Sequence, residues 1–358
     1  MSHKKVLIWV PGIDDLFNGE GLVGGLTVQM MHWAKIFKKN NWDVTTITTH
    51  KDRDGKELDN LKFKFLKKTP FLNIVFEPLI IFAFILKCKP DLIMCRGASR
   101  SLFALSIVCK FLKIKLVLTL ASDTDVKKGQ ELIKRFWDRK LFRLGLSNVK
   151  YIVAQNIEQK NRVSSLKKEC KVIIIPNIWT QKKNTTLKKE NSILWVSNFR
   201  KLKRPDWFLT LAKFLPQYNF TIVGKAIDQD LFQRCKSSAG ELSNVEFLGG
   251  LSFQETEALF TKYKLFLCTS TIEGFPNTFL QSWANGMPVI TSFDPSDTVR
   301  DQKLGMTFNT ISDAQNAITT LLTNNQYYDE LQVSIKAYFK IAHDPQQQYK
   351  RLIQLISK

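Results

Sequence analysis

Short apolar runs alternate along this chain with amphipathic stretches of helical period, and the alternation sets the expected architecture. KKVLIWV (4–10), WDVTTIT (42–48), LKFKFL (61–66), DLIMC (91–95), KLVLTL (115–120), YIVA (151–154) and KVIII (171–175) read as strands. Between them lie helical patterns at about 26–39, 101–112, 129–145 and 156–166. A long loop, PGIDDLFNGEGLVGG (11–25), follows the first strand. FLNIVFEPLIIFAFILK (71–87) is apolar on nearly every face and too short to span a bilayer comfortably. It reads as a fully buried helix, the preferred reading, or as one lying at a membrane surface.

After Pro176 the chain turns polar and charged, with TQKKNTTLKKEN at its centre, and residues 177–192 are read as a linker. A second alternation follows. Strands ILWVSN (193–198), FTIVG (220–224), VEFLG (245–249) and LFLC (265–268) are separated by helical patterns at 204–215, 230–238 and 252–263. A short helix at about 275–284, a strand after Gly286, and helices near 312–323, 325–341 and 345–357 complete the chain. Both halves are α/β, each a doubly wound parallel sheet. The expected domains are residues 1–176 and 193–340, with a cleft between their strand ends and a final segment, 341–358.

Composition narrows the class. No run of 18 or more uncharged apolar residues occurs, so no spanning helix is expected, and the apolar run at the start is too short for a signal peptide. The six cysteines are scattered without CxxC pairs or histidines at metal spacing, as in reduced, buried thiols of a cytoplasmic protein. Net charge is +21 and uneven. Residues 1–180 carry 32 Lys and Arg against 16 Asp and Glu, a net +16, whereas residues 181–358 carry 21 against 16, a net +5. A basic half implies an anionic partner, although a Lys-rich background composition gives part of the excess. No nucleic-acid module is recognised, and the basic runs lack interleaved aromatics. None of the four histidines has partners for a Ser/His/Asp set.

The candidate chemistry centres on 270–290, STIEGFPNTFLQSWANGMPVI. Glu273 sits at a strand-to-helix turn, where α/β sheets expose binding groups. The free N–H groups of the helix that follows suit an anion, and Gln281 lies two turns on along the same face. In RKLKRPD, Arg200 and Lys203 follow another strand end, so these cations can face the same site and neutralise a diphosphate. A solvated turn and helix start is the competing reading. Asp123 and Asp125 follow the strand KLVLTL as candidate base, hydroxyl orienter or metal ligand, but the same D-x-D spacing recurs at Asp52/Asp54 and Asp228/Asp230. Gly24 and Gly25 open the first helix, a usual place for a phosphate, although loop flexibility accounts for glycines here as readily.

EGFPNTFLQSWANGMPVI, with VSNFRKLKRPD upstream, VIIIPN before the linker and GGLTVQ near the start, resembles the retaining nucleotide-sugar glycosyltransferases of the family-4 type. That resemblance implies the GT-B fold, two Rossmann-like domains facing across a cleft, the first on the acceptor side and the second binding the nucleotide sugar, with the C-terminal helix of 341–358 packing back on the first. It implies that Glu273 binds donor-sugar hydroxyls and acts in catalysis, with Gly274, Phe275, Pro276 and Asn277 around the sugar and diphosphate. Arg200 and Lys203 would grip the diphosphate, and Gly24 and Gly25 would approach it. The family's second acidic position falls on Gln281, whose amide can still hydrogen-bond a ribose hydroxyl. Many relatives place a histidine where this chain has Ala121, Ser122 and Asp123, so Asp123 inherits that site by position only.

The resemblance also implies metal independence, no cofactor beyond a UDP- or GDP-linked sugar as substrate, and no enzymic nucleophile. The resulting expectation is a cytoplasmic enzyme, peripheral at the inner face of an anionic membrane. It would move a hexose-type sugar to a hydroxyl of a glycan acceptor, polyprenyl-linked by preference, in cell-surface polysaccharide or glycolipid synthesis. The alternatives are a non-catalytic polyanion-binding or partner subunit of the same fold, and a sugar epimerase or phosphorylase.

Overall fold

A computed structural model describes residues 3–18, 24–66, 76–166, 169–180, 191–273 and 275–357. The chain divides into two compact units, residues 1–178 with 345–358, and residues 179–344. In the first unit, β1 (Lys5–Trp9) leads through α1 (Ile13–Asn18) and α2 (Gly25–Lys39) to β2 (Asp43–Thr48), β3 (Glu57–Leu58) and β4 (Leu61–Phe65). Then come α3 (Glu77–Cys88), β5 (Leu92–Arg96), α4 (Ser101–Phe111), β6 (Lys115–Thr119), α5 (Phe136–Asn148), β7 (Tyr151–Ala154), α6 (Ile157–Leu166) and β8 (Lys171–Ile174). The sheet order is β3-β4-β2-β1-β5-β6-β7-β8. Every pairing is parallel except β3 with β4. Central strands are buried along almost their whole length, which is why they read as continuous apolar runs.

Three local expectations are corrected. The loop at 11–25 contains α1, because Ile13 and Leu16, three apart, share a buried face while Asp14 and Asp15 suit the helix start. The helix expected from 129 begins at Phe136, since Gly129 adopts φ 86°, off the helical path. The apolar helix is not fully buried: in α3 only Ile81 and Ile85 are, whereas Phe76, Leu79 and Leu86 are 58%, 63% and 46% exposed. Residues 71–75 of that stretch lie outside the described residues, as do 181–190 of the expected linker.

The second unit follows with β9 (Ser192–Val196), α7 (Pro205–Phe214), β10 (Asn219–Val223), α8 (Gln229–Gly240), β11 (Val245–Gly249), α9 (Phe253–Leu259) and β12 (Leu265–Cys268). It continues with α10 (Asn277–Ala284), β13 (Val289–Thr291), α11 (Thr298–Asp301), β14 (Gly305–Thr307), α12 (Ile311–Thr323) and α13 (Asn325–Ala342). Its sheet is parallel throughout, in the order β11-β10-β9-β12-β13-β14. The last helix, α14 (Pro345–Ser357), belongs to the first unit, where Leu352 and Ile356 are buried and Trp42 Nε1 donates to the Tyr349 hydroxyl at 2.8 Å. Strand order reverses between β1 and β5 in one sheet and between β9 and β12 in the other, and ligands of open parallel sheets gather at the carboxyl ends of such strand pairs.

Candidate active site

The second reversal point is built by two loops stitched together. After β9 the chain runs through Arg200 into a 3-10 turn (Lys201–Lys203), then through Arg204 in the left-handed region (φ 45°) into α7, whose first residue, Pro205, is already set for a helix. After β12 come Thr269 and Ser270. Thr269 Oγ1 donates to the Lys203 carbonyl at 2.7 Å and accepts from Trp195 Nε1 at 2.9 Å. Thr271 N–H donates to the Leu202 carbonyl at 2.9 Å, and Arg204 Nε to the Thr269 carbonyl at 2.7 Å. Arg204 Nη2 reaches Ser292 Oγ at 2.7 Å, and the guanidinium lies 3.9 Å from the centre of the Trp207 ring.

This stitching brings Lys203 and Glu273 together, 70 residues apart in sequence. The Lys203 ammonium donates directly to Glu273 Oε1, and Ser270 Oγ donates to the same oxygen at 2.8 Å. Both charged side chains are largely buried. Arg200 is exposed and makes no ion pair among the described residues. One cation is thus fixed by the carboxylate and a second stands at the same strand end.

Glu273 leads into α10. Gly274 lies outside the described residues. Pro276 is the N-cap, offering no side-chain cap, and Asn277 is the first helical residue. Phe275 turns its ring onto Trp283 and His343, at centroid distances of 6.1 and 5.7 Å, which leaves its backbone for any ligand role. Gln281 is 5% exposed, and its side-chain amide has no hydrogen-bond partner among the described residues. A near-buried amide without a partner is a group that a ligand hydroxyl would satisfy.

The first-unit candidates are separate. Gly24 caps α2 and Gly25 opens it, both exposed. Asp123 opens a 3-10 turn after β6, and its Oδ1 accepts from Gln159 Nε2 at 2.8 Å and Asn156 Nδ2 at 3.1 Å. Asp125 has a structural job, accepting from the Ala121 and Ser122 N–H groups at 2.7 and 3.2 Å, and burial raises its carboxyl pKa. Asp14, Asp15 and His50 converge closely enough to hold a cation, but Arg53 Nη1 already donates to Asp14 and Asp15, each at 2.9 Å.

Sequence reasoning missed Thr269, Ser270 and Arg204. Small hydroxyls beside a strand end and one more arginine in KLKR carry no signal of their own, and only the meeting of two loops gives them work.

Two family models match the chain: glycosyl transferases group 1 over residues 177–338, and glycosyl transferase 4-like over residues 23–156. No curated protein matches significantly. Among solved structures, a glycosyltransferase from Rickettsia africae is similar over 100% of both chains, at 14% identity and TM-score 0.76. Sucrose-phosphate synthase from Thermosynechococcus elongatus is similar over 99% of both, at 15% and 0.72. Anabaena HepE, solved with UDP and glucose, is similar over 98% of this chain and 100% of its own, at 15% and 0.71. At such identities the likeness establishes the fold, which is GT-B.

Proposed function

The chain belongs to the glycosyltransferases of the family-4 type, and from that premise we propose that it moves a hexose-type sugar from a nucleoside-diphosphate sugar to a hydroxyl of a glycan acceptor, with retention of configuration. The observation that carries the reading is the Lys203–Glu273 pair beside the N-terminus of α10, at the strand reversal of the second sheet. Arg200 and Lys203 meet the donor diphosphate and neutralise the charge that grows on it as the glycosidic bond breaks. Glu273, freed from part of its bond to Lys203 by the arriving diphosphate, accepts from donor-sugar hydroxyls. The backbone N–H groups of Gly274, Phe275 and Asn277 serve the sugar and phosphates, Pro276 having none to offer, Gln281 takes a ribose hydroxyl, and Gly24 and Gly25 contact the diphosphate. Two cations and a helix terminus supply the charge that a metal would otherwise bring. The departing diphosphate takes the proton of the attacking hydroxyl, so no enzymic nucleophile is required, and Asp123 orients the acceptor. UDP in HepE supports a uridine donor, with GDP as the comparison.

The reading includes docking at an anionic membrane face, with a polyprenyl-linked acceptor in polysaccharide or glycolipid synthesis. No described helix is long and apolar enough to cross a membrane. Support comes from the +16 half and from α3, α4 and α5, which pack in sequence and leave Leu79, Phe111, Phe136 and Trp137 exposed. Lys140 Nζ lies 4.7 Å from the centres of both the Phe136 and Trp137 rings, joining positive charge to apolar surface.

A thermal-shift screen of nucleoside diphosphates and their sugars tests the core of this reading. One base should raise the melting temperature of the wild type and fail to do so for Arg200→Ala and Lys203→Ala. Glu273→Ala should bind the nucleotide without turning the donor over; wild-type turnover in that variant would sink the site assignment. Nucleotide binding with no transfer or hydrolysis by the wild type would mark a non-catalytic partner subunit instead.

A further inference from the structure

The first sheet has its own strand reversal, between β1 and β5, and a cavity of about 480 Å³ opens there. Trp9, Leu26, Ile47, Ile81 and Leu105 make its walls mainly apolar. Arg96, the last residue of β5, is also in the lining, although it is only 9% exposed. Its Nη2 donates to Asn177 Oδ1 at 2.7 Å, while its Nε is buried with no partner, and among the described residues it forms no ion pair. Four residues on, Arg100 in the same lining is compensated, with Glu77 at 3.2 Å and Asp138 at 3.9 Å. Burial lowers the Arg96 pKa to about 10, so the group stays charged at neutral pH. A buried guanidinium hydrogen-bonded to a neutral amide, with no carboxylate in direct contact among the described residues, is a costly arrangement unless an anion completes it. The nearest acid in electrostatic terms, Asp125, is held by the Ala121 and Ser122 N–H groups.

We propose that this cavity takes the acceptor as an anionic amphiphile, with its apolar chain along the Ile47, Ile81 and Leu105 wall and a phosphate or carboxylate on Arg96. The word acceptor rests on the glycosyltransferase reading; the binding chemistry rests on the cavity alone. Hydrogen bonds between a buried guanidinium and an anionic oxygen are strong and leave neutral analogues poorly held.

Titration calorimetry on the full chain tests it with dodecyl phosphate and dodecanoate below their micelle concentrations, against dodecyl maltoside, butyl phosphate and inorganic phosphate. At least one of the two anionic dodecyl probes should bind about tenfold or more tighter than the three controls. The phosphate-to-carboxylate ratio then tells which head group fits. Arg96→Gln should remove the preference over dodecyl maltoside and Arg96→Lys should keep part of it, both retaining the nucleoside-diphosphate melting shift. Equal binding of neutral and anionic dodecyl probes by the wild type overturns the proposal without any variant. So does a preference that survives Arg96→Gln, or loss of the nucleotide shift in that variant, which would give Arg96 to the donor. A wild type that binds dodecyl phosphate but no nucleoside diphosphate would fail the enzyme reading and leave this site standing.

Discussion

Glu273 and Lys203 hold each other in a pair that also engages Ser270, so neither side chain can be removed without consequence for the other. Replacing Glu273 by Gln keeps the shape and removes the charge. On the proposed mechanism this should lower turnover by about 10²-fold or more with a smaller change in nucleotide affinity, measured as kcat against Kd. Gln281 is the more informative position. If its partnerless amide takes a ribose hydroxyl, Gln281→Leu should weaken nucleoside-diphosphate binding by roughly tenfold, whereas Gln281→Glu should stay within a few-fold. Asp125 yields a pH prediction. Its folded carboxyl is pushed up by burial, so the native state holds that proton more tightly than the unfolded chain does. Its contribution to stability is therefore present at low pH and declines as pH rises through the carboxylate range. Asp125→Asn lacks this decline. Its melting temperature relative to wild type should move upward between acid and neutral pH, and a flat difference would contradict the burial argument.

Elements explain which parts of the pattern were legible. β9 and β12 were readable because a strand buried on both faces has no polar alternation to blur it. α1 was unreadable because six residues in a Gly-rich stretch give too little period, and its burial depends on Arg53 arriving from beyond β2 to meet Asp14 and Asp15. α3 misled for a related reason: mean apolarity gives no face, and only packing decided that Ile81 and Ile85 turn inward while Leu79 and Leu86 do not. Gly224, just past β10, is a backbone-level requirement near the site. A Cβ there would fall 1.8 Å from the Ser197 carbonyl oxygen, on the loop that leads to Arg200 and Lys203. Gly224→Ala should cost on the order of 2–3 kcal/mol in chemical denaturation or displace that loop enough to weaken nucleotide binding.

At the scale of the whole molecule, α14 ties the end of the chain to the first unit through buried Leu352 and Ile356. Each apolar side chain contributes about 1.5–3 kcal/mol of burial, so deleting residues 345–358 should lower the first unit's unfolding temperature and leave nucleotide binding by the second largely intact. All six cysteines are free thiols; Cys95, Cys109, Cys235 and Cys268 are buried, and burial drives the Cys109 pKa to about 12 and that of Cys235 to about 11. Brief maleimide labelling at neutral pH should therefore modify Cys170 first and Cys88 more slowly, with the other four reacting only on denaturation, as read by mass spectrometry. Flotation on vesicles with and without anionic lipid addresses the basic half. Phe136→Ala with Trp137→Ala should reduce recovery with anionic vesicles, and equal recovery of wild type in the soluble fraction would count against membrane docking.

The sequence by itself determined the two parallel α/β halves, the positions of most strands and helices, and the stretch around Glu273, because periodicity and turn chemistry are local properties that survive without knowledge of neighbours. Tertiary structure alone decided which strands stand side by side. It decided that Lys203 meets Glu273, that Thr269 and Arg204 lock the loops which bring them together, and that Arg96 ends buried beside an apolar cavity, hydrogen-bonded to an amide and not paired with a carboxylate. Those outcomes depend on strand order and on which charges find partners. Neither is written in the spacing of residues along the chain. The stretch at 270–290 shows both sides: its turn and helix were visible from pattern, and its electrostatics exist only because a second strand end lies against it.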